Sequence, residues 1–393
     1  MTNLRADGAT LGRWGEEIEA EIDRTQIMAA EPDPVRTFRL LTRKDVTELI
    51  PLSDHQWRQH VQALKERQEL LVDQPFARLS LEQVHQLMEE MGKRPSRPDL
   101  VPRGIRIAVS SFKGGSGKST TTLHLGTALA MRGYRVCVID ADQQATLSRF
   151  LGIQPWRLEP QDTLAAAFGV HSEDDSRTAL PLSPRKTHID GLDIVPASLA
   201  LSQVEIELLH LVRARDSSFA TRFEKALQTI DQNYDILLVD YQPAFSLTQL
   251  LLLHAADAVV VPVPTEAPDF AGTGDFLQQA SMFVAQLDDL NVKPKAWDPF
   301  LVIHSRAKRR SNAVLNMAAS VFREHRPNEL IEDRQAISTA LSELKSVYEA
   351  TDELYDRRSI RAARQDYDAV TEVVLDAIKA RWDEVAANGG RYE

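Results

Sequence analysis

With 393 residues the chain is too long for one ordinary hydrophobic core, and two or three structural units are expected. Its 43% hydrophobic and 26% charged residues are typical of a folded globular protein and exclude extensive disorder, a collagen-like repeat and a membrane protein. The formal charge is -11, so any nucleic-acid binding has to come from local basic patches.

The first 35 residues carry an apolar stripe at helical spacing, formed by Leu11, Trp14, Ile18 and Ile22. Charged residues stand where a signal peptide has its apolar core, and the single cysteine, Cys137, excludes an intramolecular disulfide. We therefore expect a cytoplasmic protein. Residues 1–35 are predicted to form a dimerisation helix that packs on a partner subunit, with docking on its own chain as the alternative.

Residues 36–91 predict several short helices. Thr42 can cap a helix that ends at Leu49, and the Pro-containing segment 50–52 breaks it. Ser53 with Gln56, three residues later, has the spacing of a capping box, and the same signature recurs at residues 80 and 83. The fold is therefore expected to begin with an all-helical or winged helix-turn-helix domain.

A second helix after a tight break is typical of a helix-turn-helix, in which that helix enters a DNA major groove. Residues 36–78 hold eight Lys or Arg against six Asp or Glu, which favours DNA. Two short helices around a turn also occur in any helical bundle, which is the alternative. The residues predicted to contact operator DNA are Ser53, Gln56, Trp57, Arg58 and His60.

Residues 92–104, rich in Pro and Arg, resemble a linker, so a domain boundary is expected near residue 100. Beyond it, buried strands alternate with helices, which predicts an α/β domain over 105–393 with a mostly parallel sheet and helices on both faces. The predicted strands are 105–110, 135–139, 192–196, 235–239, 258–263 and 300–304.

A glycine-rich loop follows the first predicted strand and precedes a helix that Gly133 ends. Glycines let the backbone wrap a phosphate, Lys118 can reach the terminal phosphates, and Ser119 can bind magnesium. A glycine-rich turn with an incidental lysine is the alternative. The candidate nucleotide-binding residues are Lys113, Gly114, Gly115, Ser116, Gly117, Lys118, Ser119 and Thr120.

Phe112 stands where the general P-loop pattern has its first glycine. The loop instead resembles the deviant Walker A form K-G-G-x-x-K-[ST], which marks the ParA/MinD family of P-loop ATPases. The resemblance extends over about residues 105–385. DADQQ from Asp140 is similar to the family's D-x-D-P-Q, with Gln143 in place of proline, and DYQP from Asp240 is similar to its Walker B region, D-x-P-P. The segment HAADAVVVPVPTE, from residue 254, is similar to the one that follows in the family.

This resemblance implies a weak intrinsic ATPase that uses ATP and Mg²⁺ and releases ADP and phosphate. It assigns magnesium coordination through water to Asp140 and Asp240, beside Ser119, and polarisation of the attacking water to Asp142. Lys113 would reach the partner's phosphates in a nucleotide-sandwich homodimer. For Asp142 the alternative is a helix N-cap acid. No adenine-reading residue is predicted, because residues 304–306 depart from the family form.

Two basic groups follow the last predicted strand. The first is predicted to bind nonspecific DNA and comprises Arg306, Lys308, Arg309, Arg310, Arg323 and Arg326. The second comprises Arg357, Arg358, Arg361 and Arg364, at helical spacing. A solvated charged face is the alternative for both groups. A helix over residues 368–385 carries one apolar face and more acids than bases, which favours packing on the core over a membrane anchor.

The N-terminal extension resembles that of the long plasmid ParA class and of RepA from repABC plasmids. This resemblance implies a nucleoid-associated DNA-partition ATPase that dimerises with ATP, responds to a ParB-type centromere-bound partner, and represses its own operon. A nucleotide-switched repressor and a MinD-like membrane-positioning ATPase are the alternatives. An iron-protein-like relative is excluded, because one cysteine cannot supply the cluster ligands.

Overall fold

A computed structural model describes residues 13, 16–21, 36–67, 69, 77–111, 114–170, 180–213, 224–242, 246–289, 296–308, 312–351 and 356–392. The chain divides into two compact units, Met1–Thr37 and Phe38–Glu393. In the first unit, Arg13 and residues 16–21 are helical, and Ile18 is 61% exposed. Leu11, Trp14 and Ile22, which complete the predicted stripe, lie outside the described residues.

The second unit begins with three helices and a two-stranded antiparallel pair. The elements are β1 (Leu41–Thr42), α1 (Arg43–Leu49), α2 (Asp54–Glu66), β2 (Arg78–Leu79) and α3 (Leu81–Glu90). All three predicted caps are present as full capping boxes, at Thr42, Ser53 and Ser80. Each box satisfies backbone N–H groups that the first helical turn leaves without a partner, so local sequence fixes where these helices begin.

The centre of the unit is an eight-stranded sheet in the order β10-β9-β8-β3-β7-β4-β6-β5. All neighbouring strands are parallel except β5 and β6. The strands are β3 (Ile105–Val109), β4 (Val136–Ala141), β5 (Arg185–Lys186), β6 (Leu192–Val195), β7 (Ile236–Tyr241), β8 (Ala258–Pro264), β9 (Phe300–Ala307) and β10 (Leu330–Glu332). The predicted mostly parallel sheet is confirmed, and the two short strands β5 and β10 are additions to it.

Within the described residues, the sheet is accompanied by eight further α-helices with defined bounds. They are α4 (Lys118–Met131), α5 (Thr146–Phe150), α6 (Leu201–Arg213), α7 (Leu247–Ala255), α8 (Ala267–Asp289), α9 (Asn312–Phe322), α10 (Gln335–Ser342) and α11 (Arg357–Ala387). Short 3-10 helices lie at Pro155–Arg157, Pro160–Asp162, Leu164–Phe168 and Arg323–His325.

The sheet separates two apolar clusters, because successive strand residues point to opposite faces. Ile105 and Ile107 of β3 join the cluster that contains α4, α10, α11 and the N-terminal helices α1–α3. Ala108 joins the opposite cluster, which contains α6 and α7. Helices therefore cover both faces, as predicted.

Helices α1–α3 share their core with the sheet domain and do not form a compact unit of their own. The ring of His85 on α3 bonds the carbonyl of Ala130 on α4 at 2.8 Å. At Gly133, with φ +98°, an added Cβ would lie 2.8 Å from the Sδ of Met88 and 2.9 Å from Pro95. This close approach requires glycine at the end of α4.

Residues 92–104, expected to be a linker, are fastened to the sheet domain. Arg97 donates from Nη1 to the carbonyl of Tyr234 at 2.8 Å, and Arg94 donates from Nε to the carbonyl of Gly133 at 3.0 Å. The Pro and Arg residues that suggested a flexible connection thus serve packing and hydrogen bonding, and the expected boundary near residue 100 does not separate two bodies.

The C-terminal helix α11 packs on the core and is longer than predicted. Its apolar face, Val370, Val374, Ile378, Trp382 and Val385, is at most 2% exposed. No described helix combines the length and the apolar character needed to cross a bilayer. Of the second basic group at its start, Arg364 is turned inward and donates to the carbonyl of Val347 at 2.9 Å.

Candidate functional site

The glycine-rich loop connects β3 to α4, which is the strand–loop–helix context that a phosphate loop requires. Gly115 and Gly117 have φ angles of +77° and +88°, and Gly117 is the N-cap of α4. Left-handed backbone at both positions turns the loop around the helix N-terminus, where N–H groups have no partner within the helix. Gly114, Ser119 and Thr120 lie in this loop and the first turn of α4, whereas Lys113 lies outside the described residues.

Lys118 is the first residue of α4 and is only 6% exposed. Burial lowers the pKa of its ammonium, while the nearby carboxylates of Asp240 and Asp142 act in the opposite direction. An ammonium group held beside two acids at a helix N-terminus is suited to binding the phosphates of a nucleotide.

Asp140 and Asp240 lie directly opposite each other at the ends of the paired strands β4 and β7. Both are fully buried. Asp140 accepts hydrogen bonds from the N–H of Ser148 at 2.8 Å and from its hydroxyl at 2.7 Å. Burial raises the pKa of Asp140 to about 6, and burial together with the charge of Asp140 raises the pKa of Asp240 well above its usual value.

The carboxylate of Asp240 fits a hydrated magnesium ion. Neither of its oxygens has a hydrogen-bond partner of normal geometry among the described residues, although the hydroxyl of Ser119 acts to lower its pKa. No cluster of three or more His, Cys, Asp or Glu suited to direct coordination occurs within the described ranges. Mg²⁺ keeps several waters and binds through few carboxylates plus phosphate oxygens, so Ser119, Asp140 and Asp240 are a suitable set.

Asp142 follows β4 and is 9% exposed at the wall of a cavity that also contains Lys118. Its carboxylate accepts the N–H of Gln144 at 2.9 Å. The residue that caps α5 is Ala145, which has no side-chain cap bond, so the alternative interpretation of Asp142 as an N-cap acid is wrong. A fixed carboxylate at the mouth of a phosphate site can orient a water molecule.

A cavity of about 410 Å³ extends from the phosphate loop toward β10, α10 and α11. Besides the loop, it is lined by Ile331, Glu332, Asp333, Ile337 and Leu341. Sequence analysis missed these residues, because β10 has three residues and no alternating pattern that would predict it. Apolar side chains beside hydrogen-bonding groups are what a purine base requires.

The end of β9 is fastened to the phosphate loop. The hydroxyl of Ser305 donates to the carbonyl of Ser116 at 2.7 Å, and Nη1 of Arg306 donates to the carbonyl of Gly115 at 3.1 Å. Arg306, predicted to belong to a DNA-binding cluster, therefore lies at the nucleotide cavity. The sequence alone does not show whether a basic residue after a strand lies at a DNA-binding surface or at the nucleotide cavity.

Not all of the other side chains in the first basic group are free to contact DNA. The ammonium of Lys308 lies 2.5 Å from a carboxylate oxygen of Glu266. Arg323 is exposed in the 3-10 helix after α9, and Arg326 is half-buried. Arg309 and Arg310 lie outside the described residues.

The predicted operator-reading residues separate into two sets. Trp57 and His60 are 7% and 6% exposed, so the expectation that α2 presents them to DNA is wrong. Trp57 packs in the core shared with the sheet domain, and His60 lies on the same buried face of α2, 3.5 Å from a carboxylate oxygen of Glu90. Gln56 accepts the N–H of Ser53 in the capping box, and Arg58 is exposed.

Arg58 lines a groove of about 940 Å³ on the N-terminal helices. The ionisable residues that line it are Arg43, Lys44, His55, Arg58, Lys65 and Arg78, with no Asp or Glu among them. Two of these charges have acidic partners, because Arg43 contacts Asp54 and the ammonium of Lys44 lies 3.9 Å from a carboxylate oxygen of Glu48. A groove whose ionisable lining residues are all basic is suited to a phosphate backbone.

Comparison with known proteins gives one consistent group of relatives. A family model described as "AAA domain" matches residues 105–292. The chain is 30% identical to the sporulation initiation inhibitor protein Soj of Bacillus subtilis, over 73% of this chain and 100% of Soj. It is 27% identical to a Rhizobium rhizogenes protein named replication protein A, over 95% of each chain. A solved structure named "Partition Protein" is similar in fold, with a TM-score of 0.64, 19% identity and coverage of 95% and 98%.

Proposed function

Because the chain belongs to the ParA/MinD family of P-loop ATPases, we propose that it is a DNA-partition ATPase. The observation that carries the proposal is the position of Asp140 opposite Asp240, at the strand ends beside the buried Lys118 of the phosphate loop. Relatives named for chromosome partitioning, and a full-length fold match to a "Partition Protein", support the cellular role.

The chain's own residues have separable tasks in ATP hydrolysis. The loop amides and Lys118 bind and orient the phosphates, and Asp142 orients the attacking water. Ser119, Asp140 and Asp240 hold Mg²⁺, which when bound supplies charge neutralisation at the phosphate oxygens. Lys113 adds positive charge at the partner's phosphates in an ATP-bound homodimer, which makes the nucleotide part of the dimer interface.

The phosphate-loop assignment is tested with Lys118→Ala. We expect ATP and ADP affinity to fall by at least about tenfold, because a charge-assisted contact to the phosphates is lost. Binding of a fluorescent ATP analogue, measured by titration, checks this. Lys379→Ala, an exposed lysine on α11, is the control and should bind as the wild type does. Full affinity in Lys118→Ala would refute the assignment.

In the proposed cycle, the ATP-bound dimer binds nonspecific nucleoid DNA and a ParB-type partner stimulates hydrolysis, which releases the DNA. Binding of a random-sequence duplex at low salt with ATP, with ADP and without nucleotide tests this switch. We expect tight binding with ATP alone, weakened in the double variant Arg309→Ala/Arg310→Ala. Equal DNA binding with ATP, with ADP and without nucleotide would refute the switch, because DNA binding would then not depend on the nucleotide.

We also propose operator binding by the basic groove, which favours autorepression as a second role. The variant Arg58→Ala/Lys65→Ala should weaken operator footprints and reduce the dependence of affinity on salt, because two phosphate contacts are removed. Arg67→Ala is the matched control, because Arg67 follows the same helix but lies 3.7 Å from the carboxylate of Glu69 and does not line the groove. An unchanged footprint in the double variant would exclude this surface.

A further inference from the structure

Arg306 stands where β9 reaches the phosphate loop. Its Nη1 donates to the carbonyl of Gly115, and the hydroxyl of the preceding Ser305 donates to the carbonyl of Ser116. Two consecutive residues of one strand thus hold two consecutive carbonyls of the loop. The guanidinium group lines the same cavity as Lys118 and Thr120.

The backbone of Arg306 is strained. Its φ of +47° lies in the left-handed region that side-chain-bearing residues rarely adopt. The backbone that follows Arg306 is held from both neighbouring strands. The N–H of Lys308 donates to the hydroxyl of Thr265, after β8, at 2.9 Å, and the N–H of Asp333, after β10, donates to the carbonyl of Ala307 at 3.0 Å. Strained residues that their surroundings hold in place are concentrated at ligand sites.

The chemistry of the side chain indicates what it binds. A guanidinium has five N–H donors, and the carbonyl of Gly115 takes one of them. The remaining donors have a planar arrangement that matches phosphate oxygens. Glu332 is paired with Arg334 at 3.1 Å, but Asp142 and Asp333 also line the cavity, so a cation besides Lys118 would favour binding of a nucleotide's phosphates.

We propose that Arg306 is a phosphate-contacting residue of the nucleotide site and a second cation, besides Lys118, that this chain supplies to its own nucleotide. The proposal rests on the proposed ATPase function. It reassigns Arg306 from nonspecific DNA to the phosphates, at a position where the sequence departs from the family form.

The test compares ATP with inorganic tripolyphosphate, which has the phosphates but no base or ribose. We expect Arg306→Ala to weaken both ligands by about tenfold. Arg306→Lys should recover part of the affinity, because it keeps the charge but not the planar donors. Arg391→Ala is the control, because Arg391 is also exposed, does not line the cavity and belongs to neither predicted basic group.

A further variant separates the side chain from the backbone. Arg306→Gly removes the guanidinium and also relieves the left-handed backbone, so we expect it to bind as weakly as Arg306→Ala. Recovery of wild-type affinity in Arg306→Gly would overturn the proposal, since the loss in Arg306→Ala would then be a backbone effect. Unchanged tripolyphosphate affinity in Arg306→Ala would overturn it as well.

Failure of this proposal is distinguishable from failure of the proposed function. If the wild-type protein binds neither ligand, or if Lys118→Ala binds both normally, the phosphate-loop assignment itself fails. If the wild type binds both, Lys118→Ala binds neither, and Arg306→Ala equals the wild type, only the role of Arg306 is refuted.

Discussion

The neighbouring carboxyl groups of Asp140 and Asp240 lower the stability of the folded protein while they create a site for Mg²⁺. Two buried acids on adjacent strands repel each other when ionised, and burial adds a desolvation cost to each charge. The raised pKa values express this cost, because protonation relieves it. A bound cation relieves it as well, so the same repulsion creates affinity for Mg²⁺.

We predict that Asp240→Asn is more stable than the wild type without ligand and inactive in ATP hydrolysis. Replacing the buried carboxyl of Asp240 by a neutral amide should raise the free energy of unfolding by about 1 kcal/mol, because the folded state no longer carries the desolvation and repulsion that raise its pKa. Urea unfolding at pH 7 without Mg²⁺, beside a phosphate-release assay, checks both parts.

Asp193→Asn is the control, because the Asp193 carboxylate already pairs with Lys186 and accepts the hydroxyl of Tyr234. This variant should lose stability. A destabilised Asp240→Asn would show that the facing acids do not repel in the folded protein.

Trp57 and Arg58 are adjacent in sequence and opposite in environment. We predict that Trp57→Ala lowers the free energy of unfolding by about 3–5 kcal/mol, because it empties a space in the shared core. Arg58→Ala should change it by less than about 0.5 kcal/mol. Urea denaturation of the two variants measures both values, and similar losses would contradict the burial of Trp57.

At the scale of elements, α4 is joined to the segment before α11 through the ring of His124. The N–H of Val347 donates to its Nε2 at 3.1 Å, so Nδ1 carries the proton and donates to the carbonyl of Thr120 at 2.7 Å. The ring also stacks on Tyr367, with centroids 4.0 Å apart. Both ring nitrogens are thus used by the neutral form.

Acid should weaken this connection. Burial lowers the pKa of His124 to about 4, so between pH 6.5 and 4 the unfolded chain takes up a proton that the folded chain does not. Stability supplied by neutral His124 is complete above pH 6.5 and falls as the pH drops, by about 2 kcal/mol at pH 5.

Urea unfolding of the wild type and His124→Gln at pH 7.5, 6 and 5 measures this contribution. We expect His124→Gln to be less stable at pH 7.5 but to lose less on acidification, since it has no imidazole to protonate. Other groups titrate in both proteins, so the difference between the two slopes isolates His124. Parallel slopes would mean that His124 titrates normally.

Most elements could be predicted because their signals are local. Capping boxes at Ser53 and Ser80, and apolar runs for the six longer strands of the sheet, depend on residues close in sequence. The phosphate loop was recognisable for the same reason. The burial of Trp57 does have a local signal, because Trp57, Val61 and Leu64 lie on one face of α2 at steps of four and three. What the spacing does not show is that this face packs in a core contributed by residues far along the chain.

The cavity beyond the phosphate loop has a similar explanation. It forms only when β10 and α10 come beside the loop, more than 200 residues after it in sequence. Arg306 could not be distinguished from its basic neighbours, because its contact with Gly115 depends on where β9 ends in the sheet.

At the scale of the whole molecule, Phe38–Glu393 is one compact unit, so we expect it to unfold in one cooperative transition. We predict a single peak in calorimetry that shifts upward when ATP and Mg²⁺ are added, because a ligand of the folded state stabilises every part that unfolds with it. Hydrogen exchange at α2 should slow on nucleotide binding, although the basic groove lies on different elements from the phosphate loop. Two separate transitions, or no protection of α2, would contradict this.

Gly133 limits the exchange of the N-terminal helices between related proteins. Because Met88 and Pro95 lie against it at a distance that excludes a Cβ, the N-terminal helices fit a surface shaped to receive them. Residues 36–91 could not be moved onto a chain with a side chain at the position of Gly133 unless Met88 and Pro95 shifted. Helices α1–α3 and α4 therefore constrain each other, because neither side of this contact can be exchanged without a matching change in the other.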